Sequence, residues 1–216
     1  MTLPAGWRSR DWRRGPEHAD GTPFLILPRT ASPRRIALVL HGGAETGTMR
    51  TSKWYLPFLR MLPFADAAER AVGVGSAVLR DAVHGYNEEA DPVVDARWAL
   101  SVLTERYPGV PVTVIGHSMG GRVALELAGS DAVDSVVGLA PWIPHQYDVS
   151  DFIGRKTLLI HGSLDKVTDP AESKLLVERI QNADGTAQFM TLRDSHAMLA
   201  QAPRWHRAAG RFVAKL

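Results

Sequence analysis

The chain contains no cysteine, which excludes disulfide bonds, thiol nucleophiles and thiolate metal sites. It also lacks any apolar run close to the ~20 residues that a membrane-spanning helix requires, so we expect no membrane span. The absence of cysteine does not fix the compartment by itself. Residues 1–14 have no apolar stretch of the kind found in signal peptides, and we therefore expect a cytoplasmic protein.

A strong charge of either sign is also absent. The 25 Lys and Arg residues nearly balance the 23 Asp and Glu residues, which leaves a formal net charge of +2. Arginines gather in the first 35 residues, but we assign them to solvated loops and strand edges and expect no nucleic-acid partner. No H-E-x-x-H or comparable cluster is present. We therefore predict no metal and no cofactor.

The length and the hydrophobic pattern indicate one domain covering residues 1–216. There is no internal repeat, low-complexity tract or linker, and short β-branched runs alternate with longer amphipathic runs. Such alternation predicts an α/β fold with a mostly parallel sheet covered by helices on both faces. Strands are predicted at residues 24–27, 36–40, 75–79, 112–115, 133–139, 157–160 and 186–192. Helices are predicted at residues 91–107, 121–128, 170–181 and 203–214, with a helical region at 56–71 broken by Pro57 and Pro63.

The most informative motif is G-H-S-M-G at residues 116–120, because it joins a predicted strand to a predicted helix. A serine at such a junction lies on a sharp turn that raises its hydroxyl above the sheet, next to a helix N-terminus. Gly116 and Gly120 are required there if a Cβ would collide with the neighbouring strand or helix. The pattern therefore predicts a nucleophile elbow carrying Ser118.

Polar residues follow three further predicted strands. They form the segments H-G-G-A at 41–44, H-G-S-L-D at 161–165 and R-D-S-H at 193–196. In open parallel sheets, ligands bind at the carboxyl ends of the strands, so these segments should meet near Ser118. A serine hydroxyl needs a base such as histidine to take its proton, and a carboxylate can orient that histidine. The residues at the strand ends occur in the order Ser, Asp, His.

With these four segments in this order, the chain resembles the α/β-hydrolase fold family from about Phe24 onward. The resemblance implies a serine esterase or lipase-like enzyme with Ser118 as nucleophile, Asp165 as acid and His196 as general base. It also implies an oxyanion hole formed by the backbone N–H groups of Gly43 and Met119. Ala44 is the alternative to Gly43.

Other acidic and histidine residues are competing candidates for these roles. Asp169 precedes Pro170 and is interpreted as a helix N-cap, so we favour Asp165 as the acid. Asp194 is too close to His196 in sequence to orient it and is interpreted as a loop carboxylate. The other histidines are predicted to be structural, surface or core residues, with the His117 ring pointing away from the Ser118 hydroxyl; they include His41, His84, His145, His161 and His206.

Only residues 140–156 separate the strands between which this fold inserts its lids, too few for a helical cap domain. We therefore expect no inserted lid and an open site. Trp142 follows one of these strands and is a candidate substrate-binding residue, with a packing role as the alternative. Some polyester hydrolases and cutinases have a similar Pro-Trp with G-H-S-M-G, but this chain lacks their cysteines and is shorter.

The predicted function is hydrolysis of small-molecule carboxylic esters by a Ser-His-Asp triad through an acyl-enzyme. Thioesters, small amides and polyester or cutin-like substrates need the same chemical groups and stay open as alternatives. A binding module with a vestigial site is the non-enzymatic alternative. The sequence does not indicate the natural substrate or the oligomeric state.

Overall fold

Eight strands form a single sheet in the computed structural model, which describes residues 7, 9–18, 20–144 and 146–216. His145 lies outside the described residues. The strands are β1 (Trp12–Arg14), β2 (Phe24–Ile26), β3 (Arg35–Leu40), β4 (Val74–Arg80), β5 (Val112–His117), β6 (Val133–Leu139), β7 (Lys156–Gly162) and β8 (Thr186–Leu192).

The strand order across the sheet is β1-β2-β4-β3-β5-β6-β7-β8. The first two pairings, β1 with β2 and β2 with β4, are antiparallel, and the remaining pairings are parallel. The predicted mostly parallel sheet is therefore confirmed. β3 and β5 are neighbours near the middle of the sheet, so the segments that follow them lie side by side at its carboxyl edge.

Among the described residues, four α-helices lie between strands and a fifth follows β8, and each of the five overlaps a region where a helix is predicted. They are α1 (Leu56–Glu69), α2 (Asp91–Arg106), α3 (Met119–Glu126), α4 (Pro170–Asn182) and α5 (Ala202–Val213), with a short 3₁₀ helix at Val149–Phe152. The α3 helix begins two residues earlier than predicted because the turn after β5 consists of Ser118 alone.

The core is divided by the sheet into two apolar clusters, one on each face. One contains buried side chains of α2, α3 and α4, such as Leu103, Val123 and Ile180. The other contains buried side chains of α1 and α5, such as Phe64 and Trp205. Both faces of the sheet are therefore covered by helices, which fixes the sheet rigidly and leaves its carboxyl edge for the site.

The helical region predicted to be broken by two prolines is one continuous helix, so that prediction is wrong. Pro57 occupies the first turn, where a missing N–H costs nothing. Pro63 lies inside the helix with its ring on the exposed side. The lost hydrogen bond is offset by burial of neighbouring side chains, since Met61, Leu62 and Phe64 are almost completely buried.

The segment between β6 and β7 bears on whether a lid covers the site. Its described residues, 140–144 and 146–155, contain only the 3₁₀ helix and irregular backbone. They include no helical cap domain, as predicted. Separately, no helix among the described residues is long and apolar enough to cross a membrane.

Candidate active site

Ser118 lies on a strained one-residue turn between β5 and α3. Its φ of 55° and ψ of −116° are unusual for a residue with a side chain, a conformation that costs about 1–3 kcal/mol. A Cβ on Gly116 would collide with the carbonyl oxygen of Gly120, and a Cβ on Gly120 would collide with that of His41. The two glycines therefore let the helix approach the sheet closely enough to form the turn.

Three backbone hydrogen bonds hold the turn in place. The Ser118 N–H donates to the Leu139 carbonyl oxygen at 3.0 Å. The Ser118 carbonyl oxygen accepts from the N–H groups of Arg122 and Trp142, each at 3.0 Å. The serine backbone is thus tied to its own helix and to the segment after β6.

The Ser118 hydroxyl is hydrogen-bonded to a histidine from the segment after β8. The Ser118 Oγ lies 2.9 Å from His196 Nε2, and His196 Nδ1 lies 2.8 Å from Asp165 Oδ2. The three predicted residues therefore come together at the carboxyl edge of the sheet. The Asp165 side chain is completely buried, the His196 side chain is 16% exposed and Ser118 is 8% exposed. The series of hydrogen bonds is therefore closed to solvent at the aspartate and partly open at the histidine and the serine.

The turn after β7 holds Asp165 in its ionised form. Oδ1 accepts the backbone N–H groups of Val167 at 2.8 Å and Thr168 at 3.1 Å. Burial opposes ionisation, but these bonds and the His196 side chain outweigh it and lower the pKa of Asp165 below its usual value. An ionised Asp165 requires the proton on His196 Nδ1, which leaves Nε2 free to accept the serine proton.

The Thr168 hydroxyl lies where several of these groups meet. Its Oγ1 is 3.1 Å from Asp165 Oδ2, 3.2 Å from His196 Nδ1 and 3.2 Å from His161 Nε2. His161 Nε2 is itself 3.3 Å from Asp165 Oδ2, and His161 Nδ1 is 2.8 Å from Ser173 Oγ. His161 was predicted to be structural, and it buttresses Asp165. No pattern in the sequence pointed to Thr168.

Two other carboxylates near the carboxyl edge of the sheet accept hydrogen bonds that hold the local structure. Asp169 is the N-cap of α4 and accepts the Ala171 N–H at 2.8 Å, which confirms its predicted capping role. Asp194 is buried and accepts the backbone N–H groups of Ser195 and Gln201, each at 2.8 Å, and the Trp205 indole N–H at 3.1 Å. Asp194 therefore fixes the loop that carries His196.

His117 contacts His196 from the elbow side. The two ring centroids are 4.9 Å apart, and His117 Nε2 lies 3.0 Å from the His196 carbonyl oxygen. Burial lowers the pKa of His117 to about 3, and repulsion by His196 in its protonated form acts in the same direction, so the His117 ring is neutral at pH 7. The neutral ring donates from Nε2 to that carbonyl, and Nδ1 has no hydrogen-bond partner among the described residues. His117 thus supports the loop carrying His196, a contact not predicted from the sequence.

The segment after β3 packs directly against the elbow. A Cβ on Gly42 would lie 3.2 Å from Ser118 Cβ, and a Cβ on Gly43 would lie 2.6 Å from Met119 Sδ. The Met119 N–H belongs to the first turn of α3 and has no acceptor within the helix. The segment that carries Gly43 thus packs against the start of α3, and the Gly43 and Met119 N–H groups stay the predicted oxyanion donors.

The N–H group of the alternative donor, Ala44, already has a hydrogen-bond acceptor. Its N–H donates to the His84 carbonyl oxygen at 2.9 Å, whereas no acceptor for the Gly43 N–H occurs among the described residues. His41 fixes the start of this segment, because its Nε2 accepts the Asp81 N–H at 3.1 Å and its Nδ1 donates to the Gly42 carbonyl oxygen at 2.8 Å. This geometry favours Gly43 over Ala44.

Trp142 is next to the elbow, but its ring is engaged in packing. The ring makes an edge contact with Tyr86 at 5.8 Å between centroids, and the Arg122 guanidinium lies 4.6 Å from the Trp142 ring centroid and 3.5 Å from that of Tyr86. Arg122 and the Tyr86 hydroxyl both bond to the Glu126 carboxylate. A substrate-binding role for Trp142 stays a prediction; its ring is half-buried, and the contact of this residue with Ser118 is made by its backbone N–H.

No group of three His, Asp or Glu side chains among the described residues is arranged to hold a metal ion. The arrangement contains a serine hydroxyl hydrogen-bonded to a histidine, a buried carboxylate hydrogen-bonded to that histidine, and the N–H groups of Gly43 and Met119 without acceptors among the described residues. Such a set is suited to nucleophilic attack on a carbonyl carbon.

The fold is similar to several solved structures. One is an alpha-beta serine hydrolase homologue from Coxiella burnetii, with a TM-score of 0.72 and 14% sequence identity. The match covers 94% of this chain and 96% of that one. Another is XC6422 from Xanthomonas campestris, described as an α/β serine hydrolase without lid. Its TM-score is 0.71 at 18% sequence identity, and the match covers 95% of this chain and 94% of that one. A third is the esterase Pf2001 from Pyrococcus furiosus. Its TM-score is 0.74 at 15% sequence identity, and the match covers 100% of this chain and 96% of that one. At these identities the likeness establishes the fold.

The sequence comparisons differ in what they give. Among curated proteins, no sequence matches this chain. The family model described as serine aminopeptidase, S33, matches residues 31–155. The match extends from just before β3 to the residue before β7, so it contains Ser118 but neither Asp165 nor His196. Because it covers more than half of the chain, the protein belongs to the S33 serine aminopeptidase family, within the α/β-hydrolase fold.

Proposed function

We propose that the protein is a serine hydrolase that cleaves carboxylic esters through an acyl-enzyme intermediate. The observation that supports this most directly is the hydrogen-bonded series from the Ser118 hydroxyl through His196 to the buried Asp165, with bonds of 2.9 and 2.8 Å. Each member has the burial and the partners that its role requires. The proposal assigns the catalytic roles to these three side chains.

In the first half of the reaction, His196 Nε2 takes the hydroxyl proton as Ser118 Oγ attacks the carbonyl carbon of the ester. The carbonyl π electrons move to oxygen and form a tetrahedral oxyanion. Asp165 stabilises the imidazolium that results and keeps its ring in register. The intermediate collapses with cleavage of the bond to the alcohol oxygen, which receives the proton from His196 Nε2.

The oxyanion is bound by the Gly43 and Met119 N–H groups. Since neither donor has to be released from a competing acceptor, stabilisation of the transition state requires little reorganisation. The N-terminal dipole of α3 adds to the same effect. Loss of one such donor in comparable sites costs about 2.7–4 kcal/mol in the barrier.

In the second half, a water molecule replaces the alcohol. His196 Nε2 accepts one water proton, the water oxygen attacks the acyl carbon, and the second tetrahedral intermediate expels Ser118 Oγ, which recovers the proton from His196. The products are the carboxylic acid and the regenerated serine. The water can reach the site because His196 and Ser118 keep part of their surface exposed and the described residues between β6 and β7 form no cap. This openness favours short or otherwise accessible esters.

Hydrolysis of an amide is the second candidate, and the family match is what favours it. The S33 family is described by its serine aminopeptidases, whereas the similar Pyrococcus protein is described as an esterase. The same serine, base and oxyanion donors act on both bonds, and an amide additionally needs proton delivery to a leaving amine by His196. Hydrolysis rates on aminoacyl p-nitroanilides and on p-nitrophenyl esters distinguish the two.

The test compares the native protein with Ser118→Ala, using p-nitrophenyl acetate and butyrate. We expect release of p-nitrophenol to fall by at least about 10³-fold in the variant, since the nucleophile is lost. Ser101→Ala is the matched control, because Ser101 is an exposed serine on α2. It should keep full activity.

Equal activity of the native and Ser118→Ala proteins would overturn the proposal. A fluorophosphonate probe gives an independent readout, because it reacts only with an activated serine. Labelling at Ser118 that disappears in His196→Ala supports the triad. No adduct on the native protein, combined with no turnover of esters or anilides, favours a binding module instead.

A further inference from the structure

A groove lies on the outer side of the sheet, between α5 and the face of the edge strand β8. Its volume is about 610 Å³, within the range of small-molecule sites. The apolar part of the floor is formed by Leu158 on β7 with Met190 and Leu192 on β8, and Thr186 and Gln188 form the polar part toward the amino end of β8. Ala208 and Phe212 of α5 continue this apolar surface up the wall of the groove.

The rim of the groove is basic. Arg204, Arg207 and Arg211 follow one another at helical spacing on α5, and Lys215 follows one turn later. Because α5 runs back along the sheet after β8, Arg204 lies near the carboxyl end of β8. Lys215 lies near its amino end, where Lys156 of β7 adds a fifth cation.

The five positive charges face no acidic side chain within the groove. No aspartate or glutamate lines it, and within the described part of the chain none of the five cations forms a salt bridge. The whole chain carries a formal net charge of only +2. A concentration of five unpaired cations is therefore a local property of this surface, and it attracts anions.

We infer that this groove binds a single anionic amphiphile, specifically an alkyl carboxylate. The alkyl chain lies on Leu158, Met190 and Leu192, and the carboxylate is bound by the guanidinium groups of Arg207 and Arg211, whose planar donors match a carboxylate. The site is separate from Ser118 and does not depend on the proposed esterase reaction. A carboxylate of this class is also what hydrolysis of an acyl ester releases.

The shape of the groove favours a monomeric ligand over a membrane surface. Leu158 in the floor is only 3% exposed, whereas Met190 beside it is 40% exposed. A flat bilayer would reach the arginines of the rim but not such a recessed floor, while one alkyl chain can lie along it. A second copy of the chain is disfavoured because it would bring like charges together.

The test uses dodecanoate below its critical micelle concentration and ¹³C-methyl NMR of the methionines. The chain has six methionines. Met190 reports on the groove, and Met119, which contacts Gly43, reports on the candidate active site. Met190→Leu assigns its resonance at nearly constant volume. We expect dodecanoate to shift the Met190 methyl resonance saturably and to leave Met119 unchanged.

Variants of the rim test the role of the arginines. Arg207→Ala with Arg211→Ala should weaken dodecanoate binding at least tenfold, and both residues are exposed, so folding should be retained. Arg97→Ala with Arg106→Ala on α2 removes the same charge from exposed positions elsewhere and should leave binding unchanged. Acetate lacks the alkyl chain and dodecyltrimethylammonium lacks the negative charge, so neither should shift Met190.

Each contrary outcome overturns the inference. Unchanged binding in the Arg207 and Arg211 double variant, or an equal Met190 shift with dodecyltrimethylammonium, would show that the arginines do not select the ligand. An equal shift with acetate would show that the floor does not contribute. A shift of Met119 alone would place dodecanoate in the candidate active site. Co-sedimentation with phosphatidylglycerol vesicles without any Met190 shift would identify a membrane-binding surface instead.

Discussion

The turn that carries Ser118 and the turns that carry Asp165 and His196 are held by different forces. The serine turn is held by close packing. Two glycines allow α3 to contact the sheet, and this contact keeps the Ser118 backbone in its strained conformation. The acid turn is held by the hydrogen bond that the Thr168 hydroxyl donates to Asp165, and the histidine loop is held by hydrogen bonds that the Asp194 carboxylate accepts, such as that from the Gln201 N–H. The residues whose packing positions Ser118 are its neighbours in sequence, whereas the hydrogen bonds that position Asp165 and His196 come from several segments.

The largest effect on kcat should come from removing the negative charge of Asp165. Asp165→Asn keeps the shape of the side chain but no longer selects the His196 tautomer, so we expect kcat to fall by roughly 10³–10⁴-fold. The measurement is steady-state hydrolysis of p-nitrophenyl butyrate. Asp169→Asn is the matched control, since asparagine also caps helices. If Asp169→Asn abolished activity and Asp165→Asn did not, the assignment of the acid would be wrong.

Gly120→Ala tests the steric end. Because the added methyl group would meet the carbonyl oxygen of His41, α3 must move away from the sheet. We expect a loss of about 1–3 kcal/mol in the free energy of unfolding and a fall in kcat of about 100-fold as the hydroxyl is displaced. Urea unfolding and ester hydrolysis measure the two.

Gly47→Ala provides the comparison for that substitution. The nearest atom to a Cβ at Gly47 is 3.7 Å away, so its methyl group is accommodated. Its stability and activity should match those of the native protein. Full activity in Gly120→Ala would mean that the elbow is not held by close packing.

Thr168→Val tests the polar network with the smallest change. It removes the hydroxyl that lies between Asp165 and His196 while keeping the branched shape. One hydrogen bond contributes about 0.5–1.5 kcal/mol, so kcat should fall up to about tenfold with little change in KM. Thr168→Ser restores the hydroxyl and should recover most of the rate. Equal kcat in the valine and serine variants would show that Thr168 does not position the acid and base.

This contrast also explains how far the sequence could predict the molecule. The bounds of β6 and β8 were predicted correctly because their apolar pattern is a local property. The sharp turn at Ser118 was predicted because the glycines that permit it are its neighbours in sequence. The continuity of α1 was missed because proline was weighed against a helix without knowing that Met61 and Phe64 are buried.

The partners of the site could not be predicted in the same way. Thr168 and His117 are ordinary residues in the sequence, and their contacts with His196 exist only because the turn after β7 and the loop after β8 meet. Their roles depend on distances between segments that no local pattern records. The choice between Gly43 and Ala44 likewise required the hydrogen bond from Ala44 to His84.

The attachment of the Trp142 backbone to Ser118 has an evolutionary consequence. The bond to the serine carbonyl comes from the Trp142 N–H, a group that every residue except proline retains. The identity of side chain 142 can therefore drift while the backbone of Ser118 stays anchored. Under the proposed function, position 142 is thus a place where descendants of this chain can change the surroundings of the serine without first losing its turn.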